Sequence, residues 1–236
     1  MRVVYNVTNE AEAGLVDLAT AALRLDGVPV VVLAGERVAR VRWPRGVQVL
    51  RVEDVPPAGL QGAAKLLAFA AELGEDVCFC SADTVLLDAV PVAEFMEGGG
   101  VMGVEYGGFC EPGHWLWWCG RETARVLLEG VQEGLRGGLG ELVRAEGCKG
   151  AAGPVEAAAG LSAGAVAYRL ACALGLRARM VRAGDDGVRV FRQEDFCASG
   201  EVVMPWAVHC GCPAFVGAYP RAEVAIRRAM ARVLGW

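Results

Sequence analysis

Val77-Cys78-Phe79-Cys80-Ser81-Ala82-Asp83-Thr84-Val85-Leu86-Leu87-Asp88 is the stretch whose reading decides the fold. Four apolar residues run without a break into Ser81, Ala82 and Asp83, and apolar sequence resumes at once. A continuous apolar run, rather than an alternating one, is the pattern of a strand buried on both faces of a sheet. A carboxylate at the end of such a strand stands at its C-terminal tip, where open α/β sheets bind their ligands. The same residues also suit a plain turn, because Ser and Asp side chains bond to nearby backbone. Both readings fit this segment taken alone.

The flanking sequence extends the pattern. Val3 to Val7 is apolar and ends at Thr8 and Asn9, residue types that start helices. From Glu10 to Leu25 the apolar positions Leu15, Leu18, Ala19, Ala22 and Leu23 fall at helical spacing. Gly27 and Pro29 interrupt the chain before two further strand-like runs, Val30 to Leu33 and Val47 to Val52. Pro56 and Pro57 precede a second helix, Leu60 to Leu73, which carries Lys65. Strands and helices in this rhythm predict an α/β fold with a central, mostly parallel sheet flanked by helices.

Beyond Asp88 the rhythm loosens. Val92 to Met96 reads as a short helix, Val101 to Tyr106 and Trp115 to Cys119 as strands, and Glu122 to Gly130 as a helix. Gly134 to Gly153 reads as a flap rich in glycine and charge, and Glu156 to Leu174 as a long alanine-rich helix. Arg177 to Val181 and Val188 to Phe191 read as a hairpin across Asp185-Asp186-Gly187. Ala207 to Cys210 is a last strand, and Pro220 to Leu234 a closing helix. No repeat or linker divides the chain, so residues 1–236 are expected to form a single domain.

Composition narrows the function classes. Hydrophobic residues make up 54% of the 236 and charged residues 22%, enough for a packed core. The net charge of −5 is spread along the chain without a basic block, which argues against a nucleic-acid partner. Mean hydropathy is high, +0.36, yet no uncharged apolar window reaches the roughly 18 residues a membrane span needs. The nearest, Ala151 to Leu176, holds Glu156 and Arg169. The chain opens directly on strand-like residues, and the expectation is a cytoplasmic protein. Of nine cysteines, Cys78, Cys80 and Cys172 fall in apolar segments and read as small buried hydrophobes. His209-Cys210-Gly211-Cys212 lacks the second ligand pair a structural zinc site uses.

Four segments together resemble the GT-A glycosyltransferase family. Val3 to Asn9 resembles its first strand and base-binding loop. Ala64-Lys65-Leu66 matches a position where a basic residue is often kept. Phe79 to Leu86 resembles the apolar strand that ends in Asp-x-Asp. Pro205-Trp206-Ala207-Val208-His209-Cys210-Gly211 is similar to the late strand that supplies a histidine ligand in many retaining members. The resemblance implies a single GT-A-like domain that transfers sugar from a nucleotide-sugar donor, a UDP-sugar by preference, to a glycan or other hydroxyl acceptor. It implies that Asn6 and Thr8 line the base pocket, that Lys65 faces the nucleotide or diphosphate, and that Asp83 and His209 hold Mn²⁺ or Mg²⁺. The chemical rationale is that a divalent ion neutralises the charge of a departing diphosphate. Hard oxygen ligands suit both ions, and Mn²⁺ also accepts imidazole. This chain departs from the motif at Ser81, a neutral residue where the first Asp would stand; its hydroxyl remains able to bond a ribose.

Other candidates come from residue types alone. In Gly113-His114-Trp115-Leu116-Trp117-Trp118, strand alternation sets Trp115 and Trp117 on one face and Leu116 and Trp118 on the other. Aromatic rings stack on sugars, so Trp115 and Trp117 are candidates for the acceptor side, with His114 orienting a hydroxyl; a packed core strand is the alternative. Glu105 and Glu111 are candidate acid/base carboxylates, or solvated loop residues. Competing functions are a nucleotidyltransferase-like enzyme, a non-catalytic nucleotide- or glycan-binding domain and a zinc-stabilised interaction module. The first is disfavoured because Thr8-Asn9-Glu10-Ala11 has neither glycine nor a basic residue.

Overall fold

Valine-rich runs with polar tips build the first half of the central sheet: β1 (Arg2–Val7), β2 (Val30–Ala34), β3 (Val47–Arg51) and β4 (Val77–Ser81). The computed structural model describes residues 1–8, 10–38, 41–53, 59–82, 84–86, 99–105, 116–135, 161–182, 188–190 and 207–209. β1 pairs in parallel with β2 on one side and with β4 on the other, and β2 pairs in parallel with β3. The chain therefore steps outward from β1 to β3 and then crosses back to β4, so the strand order reverses between β1 and β4.

The sheet continues through β6 (Val101–Glu105), β7 (Leu116–Cys119) and β8 (Ala178–Arg182), giving seven strands in the order β3-β2-β1-β4-β7-β6-β8. Only β7 runs against its neighbours; β6 and β8 are parallel to each other. This is the expected mostly parallel α/β sheet. β5 (Thr84–Leu86), β9 (Val188–Val190) and β10 (Ala207–His209) form a separate three-stranded sheet in the order β5-β10-β9.

Helices cover both faces. α1 (Glu10–Ala19) and α2 (Ala21–Leu25) bury Ala13, Val16, Ala19 and Leu23 against Val3, Tyr5, Val7, Cys78 and Cys80. α3 (Gly59–Leu73), α4 (Arg121–Leu135) and α5 (Ala163–Ala173) pack on the other face, over Val4, Phe79, Val101 and Trp117. Alternate residues of one strand thus serve two cores, which is why these strands read as unbroken apolar runs.

Several sequence expectations need correction. The helix expected from Glu10 to Leu25 is two helices. They divide at Thr20, whose hydroxyl bonds back to the Val16 carbonyl at 2.7 Å, a contact that bends helices. The helix expected to begin at Glu156 begins at Ala163, where Ser162 caps it by accepting from the Ala165 N–H at 3.2 Å. α4 runs to Leu135, so Gly134 belongs to a helix rather than to a flap. The expected hairpin does not form: β8 pairs with β6 in the large sheet and β9 with β10 in the small one. Cys172 is exposed rather than buried. The expected elements at 92–96 and 220–234, the rest of the flap and the Asp185-Asp186-Gly187 turn lie outside the described residues.

Candidate functional site

The reversal of strand order between β1 and β4 opens a crevice at the C-terminal edge of an α/β sheet, and ligands bind there as a rule. The residues at this edge are those in which the sequence pattern changes from apolar to polar. Asn6 and Ser81 are register partners across β1 and β4, and both are half-buried. Gly103 and Phe79 share the same partner on β7, Trp117. Two residues further along each strand, the backbone of Glu105 at the end of β6 is level with Ser81. Two strand spacings separate them, about 10 Å. Three of the sequence candidates, Asn6, Ser81 and Glu105, thus stand along one edge.

A fourth arrives from far along the chain. β5 pairs antiparallel with β10, and the register sets His209 opposite Thr84. Thr84 is fully buried, and its hydroxyl lies 2.8 Å from that of Ser81. The tip of β4 is therefore joined through Thr84 to the strand that carries His209, 125 residues after Thr84 in the sequence.

Beneath this tip lies Tyr5, also fully buried. Its hydroxyl is 3.2 Å from the Thr84 carbonyl and 3.1 Å from the Ala19 carbonyl at the end of α1. Burial, reinforced by Cys80 and Cys78 nearby, holds its acidity far below that of a free phenol. The hydroxyl stays neutral and acts as a donor. Neither Tyr5 nor Thr84 stood out in the sequence. The one available signal was the spacing of two hydroxyl residues, 81 and 84, around the Asp83 position.

The other candidates are placed as follows. The Thr8 N–H and hydroxyl both donate to the Glu12 carboxylate, at 2.6 and 3.0 Å. Glu10 and Glu12 make the first turn of α1 acidic, which suits the positive helix end but opposes a phosphate there. Lys65 is exposed on α3 and pairs at 3.5 Å with Glu53, which follows β3. Trp117 is 4% exposed and stacks on Phe79 with ring centroids 4.3 Å apart, so this ring belongs to the core. Asp83, Glu111, His114 and Trp115 lie outside the described residues. Among the described residues no group of three His, Cys, Asp or Glu could hold a metal ion. Of the two expected metal ligands, Asp83 is not described, and His209 is placed by its backbone alone, as the register partner of Thr84.

Known structures share this architecture. The galactosyltransferase LgtC, solved in complex with donor and acceptor sugar analogues, is 12% identical, with a TM-score of 0.51 over 95% of each chain. The glycosyltransferase GlyE of Streptococcus pneumoniae TIGR4 is 9% identical, with a TM-score of 0.51 over 98% of this chain and 63% of its own. Its apo form is 10% identical, with a TM-score of 0.52 over the same shares. The chain has a GT-A-like fold. No protein-family model and no curated protein matches its sequence. Among the described residues, no helix of this GT-A-like chain is long and apolar enough to cross a membrane.

Proposed function

We propose that this protein is a glycosyltransferase that takes its sugar from a nucleotide-sugar, a UDP-sugar, and passes it to a hydroxyl acceptor. The observation that carries the reading is the meeting of separate segments at the C-terminal edge. Asn6 and Ser81 face each other across the β1/β4 reversal, and the pairing of β5 with β10 sets His209 beside the same tip. The base would lie over the end of β1, near Asn6 and Thr8. The acidic first turn of α1 disfavours phosphate at that helix end. The diphosphate is better accommodated towards β4, where Asp83 and His209 would hold Mn²⁺ or Mg²⁺. Such an ion would supply charge neutralisation for the departing diphosphate. Glu105, level with Ser81 two strands away, is the nearest described candidate to activate the acceptor hydroxyl, with Glu111 the other candidate. His114 and Trp115 belong to the proposed acceptor side.

Calorimetric titration with UDP, with and without Mn²⁺, tests this. The expected result is UDP binding that strengthens with Mn²⁺ and loses that gain in Asp83→Ala. A protein that binds no uridine nucleotide under either condition refutes the proposal. Binding indifferent to both metal and Asp83 refutes the metal assignment and leaves a metal-independent site.

A further inference from the structure

Where the resemblance sets a second carboxylate, this chain has a hydroxyl, and that hydroxyl has a specific protein partner. The Ser81 and Thr84 oxygens, three residues apart in the sequence, are 2.8 Å apart. Thr84 is fully buried, so its side chain is directed by packing rather than by solvent. Its backbone is held from two further directions. The Tyr5 hydroxyl reaches its carbonyl from β1, at 3.2 Å, and β10 pairs with it through His209. Thr84 is thus the junction of the β1 strand, the β4 tip and the small sheet.

We infer that Thr84, with Tyr5 behind it, is a positioning residue of the donor site: it latches the Ser81 tip of β4 to the strand bearing His209. This inference rests on the proposed donor site. A hydroxyl pair is neutral and short, and both side chains are small, so one bond holds the Ser81 tip close against Thr84. Ser81 is accordingly engaged within the protein fold while remaining half-buried at the strand tip.

The test uses the full chain carrying Thr84→Val, which keeps the shape and removes the hydroxyl, and Thr84→Ser, which keeps the hydroxyl. Two quantities are read: the Mn²⁺-dependent UDP Kd, and amide exchange over 84–86 and 207–209. Thr84→Val is expected to weaken Mn²⁺-dependent UDP binding about five- to tenfold, the value of one lost hydrogen bond. It is also expected to speed exchange on both strands, and Thr84→Ser is expected to restore both. Faster exchange with an unchanged Kd marks a structural contact only and overturns the positioning role. If Thr84→Val does not fold, Tyr5→Phe removes the hydroxyl that holds the Thr84 carbonyl from behind and is read by the same criteria. A wild-type protein that binds no UDP overturns the donor site and the inference together. A wild type that binds, with variants that bind equally well, overturns the inference alone.

Discussion

Removing one oxygen atom, in Tyr5→Phe, is expected to destabilise the protein by about 2 kcal/mol. The ring would keep its place, since Tyr5 is wholly buried among Val3, Val7, Cys78, Cys80 and Leu86 of one core face. What changes is the hydroxyl, which reaches the Ala19 carbonyl at 3.1 Å and the Thr84 carbonyl at 3.2 Å. A single proton bonds one of these well or both obliquely, so the loss amounts to about one hydrogen bond, roughly 1 kcal/mol. The vacated space and a carbonyl left without its donor raise the cost towards the upper part of the roughly 1–3 kcal/mol range. For a chain of this length, about 2 kcal/mol lowers Tm by roughly 4–8 °C. Urea unfolding should show a lower midpoint with an unchanged slope, since the buried surface is the same. A variant within about 0.5 kcal/mol of wild type would refute the reasoning, because it would mean that neither carbonyl depends on the phenol.

Three further outcomes are expected. Burial raises the pKa of the Cys80 and Cys119 thiols and the Tyr5 phenol well above their usual values, so their stabilisation is complete below about pH 8.5 and is lost as the unfolded chain ionises at higher pH. Each group adds about 1.4 kcal/mol of lost stability per pH unit above its unfolded pKa; denaturant midpoints between pH 8 and 10.5 should fall, and Cys119→Ala should flatten the fall. Gly100→Ala should destabilise by about 2–3 kcal/mol, because Gly100 has φ +112° and its added Cβ would clash with the Arg177 carbonyl. Gly14→Ala, on the exposed side of α1 with nothing within 4 Å of the new Cβ, should stabilise by about 0.5–1 kcal/mol; thermal melts of the pair check both signs. Iodoacetamide followed by peptide mapping should label Cys172 in the native protein and spare Cys78, Cys80 and Cys119, which react only after unfolding.

Much of the first half of the fold was legible because its strands are buried on both faces. Val30–Ala34 and Val77–Cys80 carry no outward polar residue, and such runs bounded by turn residues have few alternatives. Helix ends were less legible. Thr20 and Ser162 decide where helices stop and start through single hydroxyl bonds, which hydrophobic periodicity does not register. The alternation of Leu116, Trp117 and Trp118 between two faces was readable from the period of two; that Trp117 would spend its face on Phe79 was not.

By itself the sequence determined the parallel β1–β4 core and the polar tips Asn6 and Ser81, because local pattern and strand burial are properties of neighbouring residues. It also presented His209 as a candidate. Only the tertiary structure decided that 178–182 and 188–190 join different sheets rather than one hairpin, and that His209 comes to lie opposite Thr84. Pairing between distant strands depends on which edges remain unpaired after the core has formed, and no single segment of the chain encodes that.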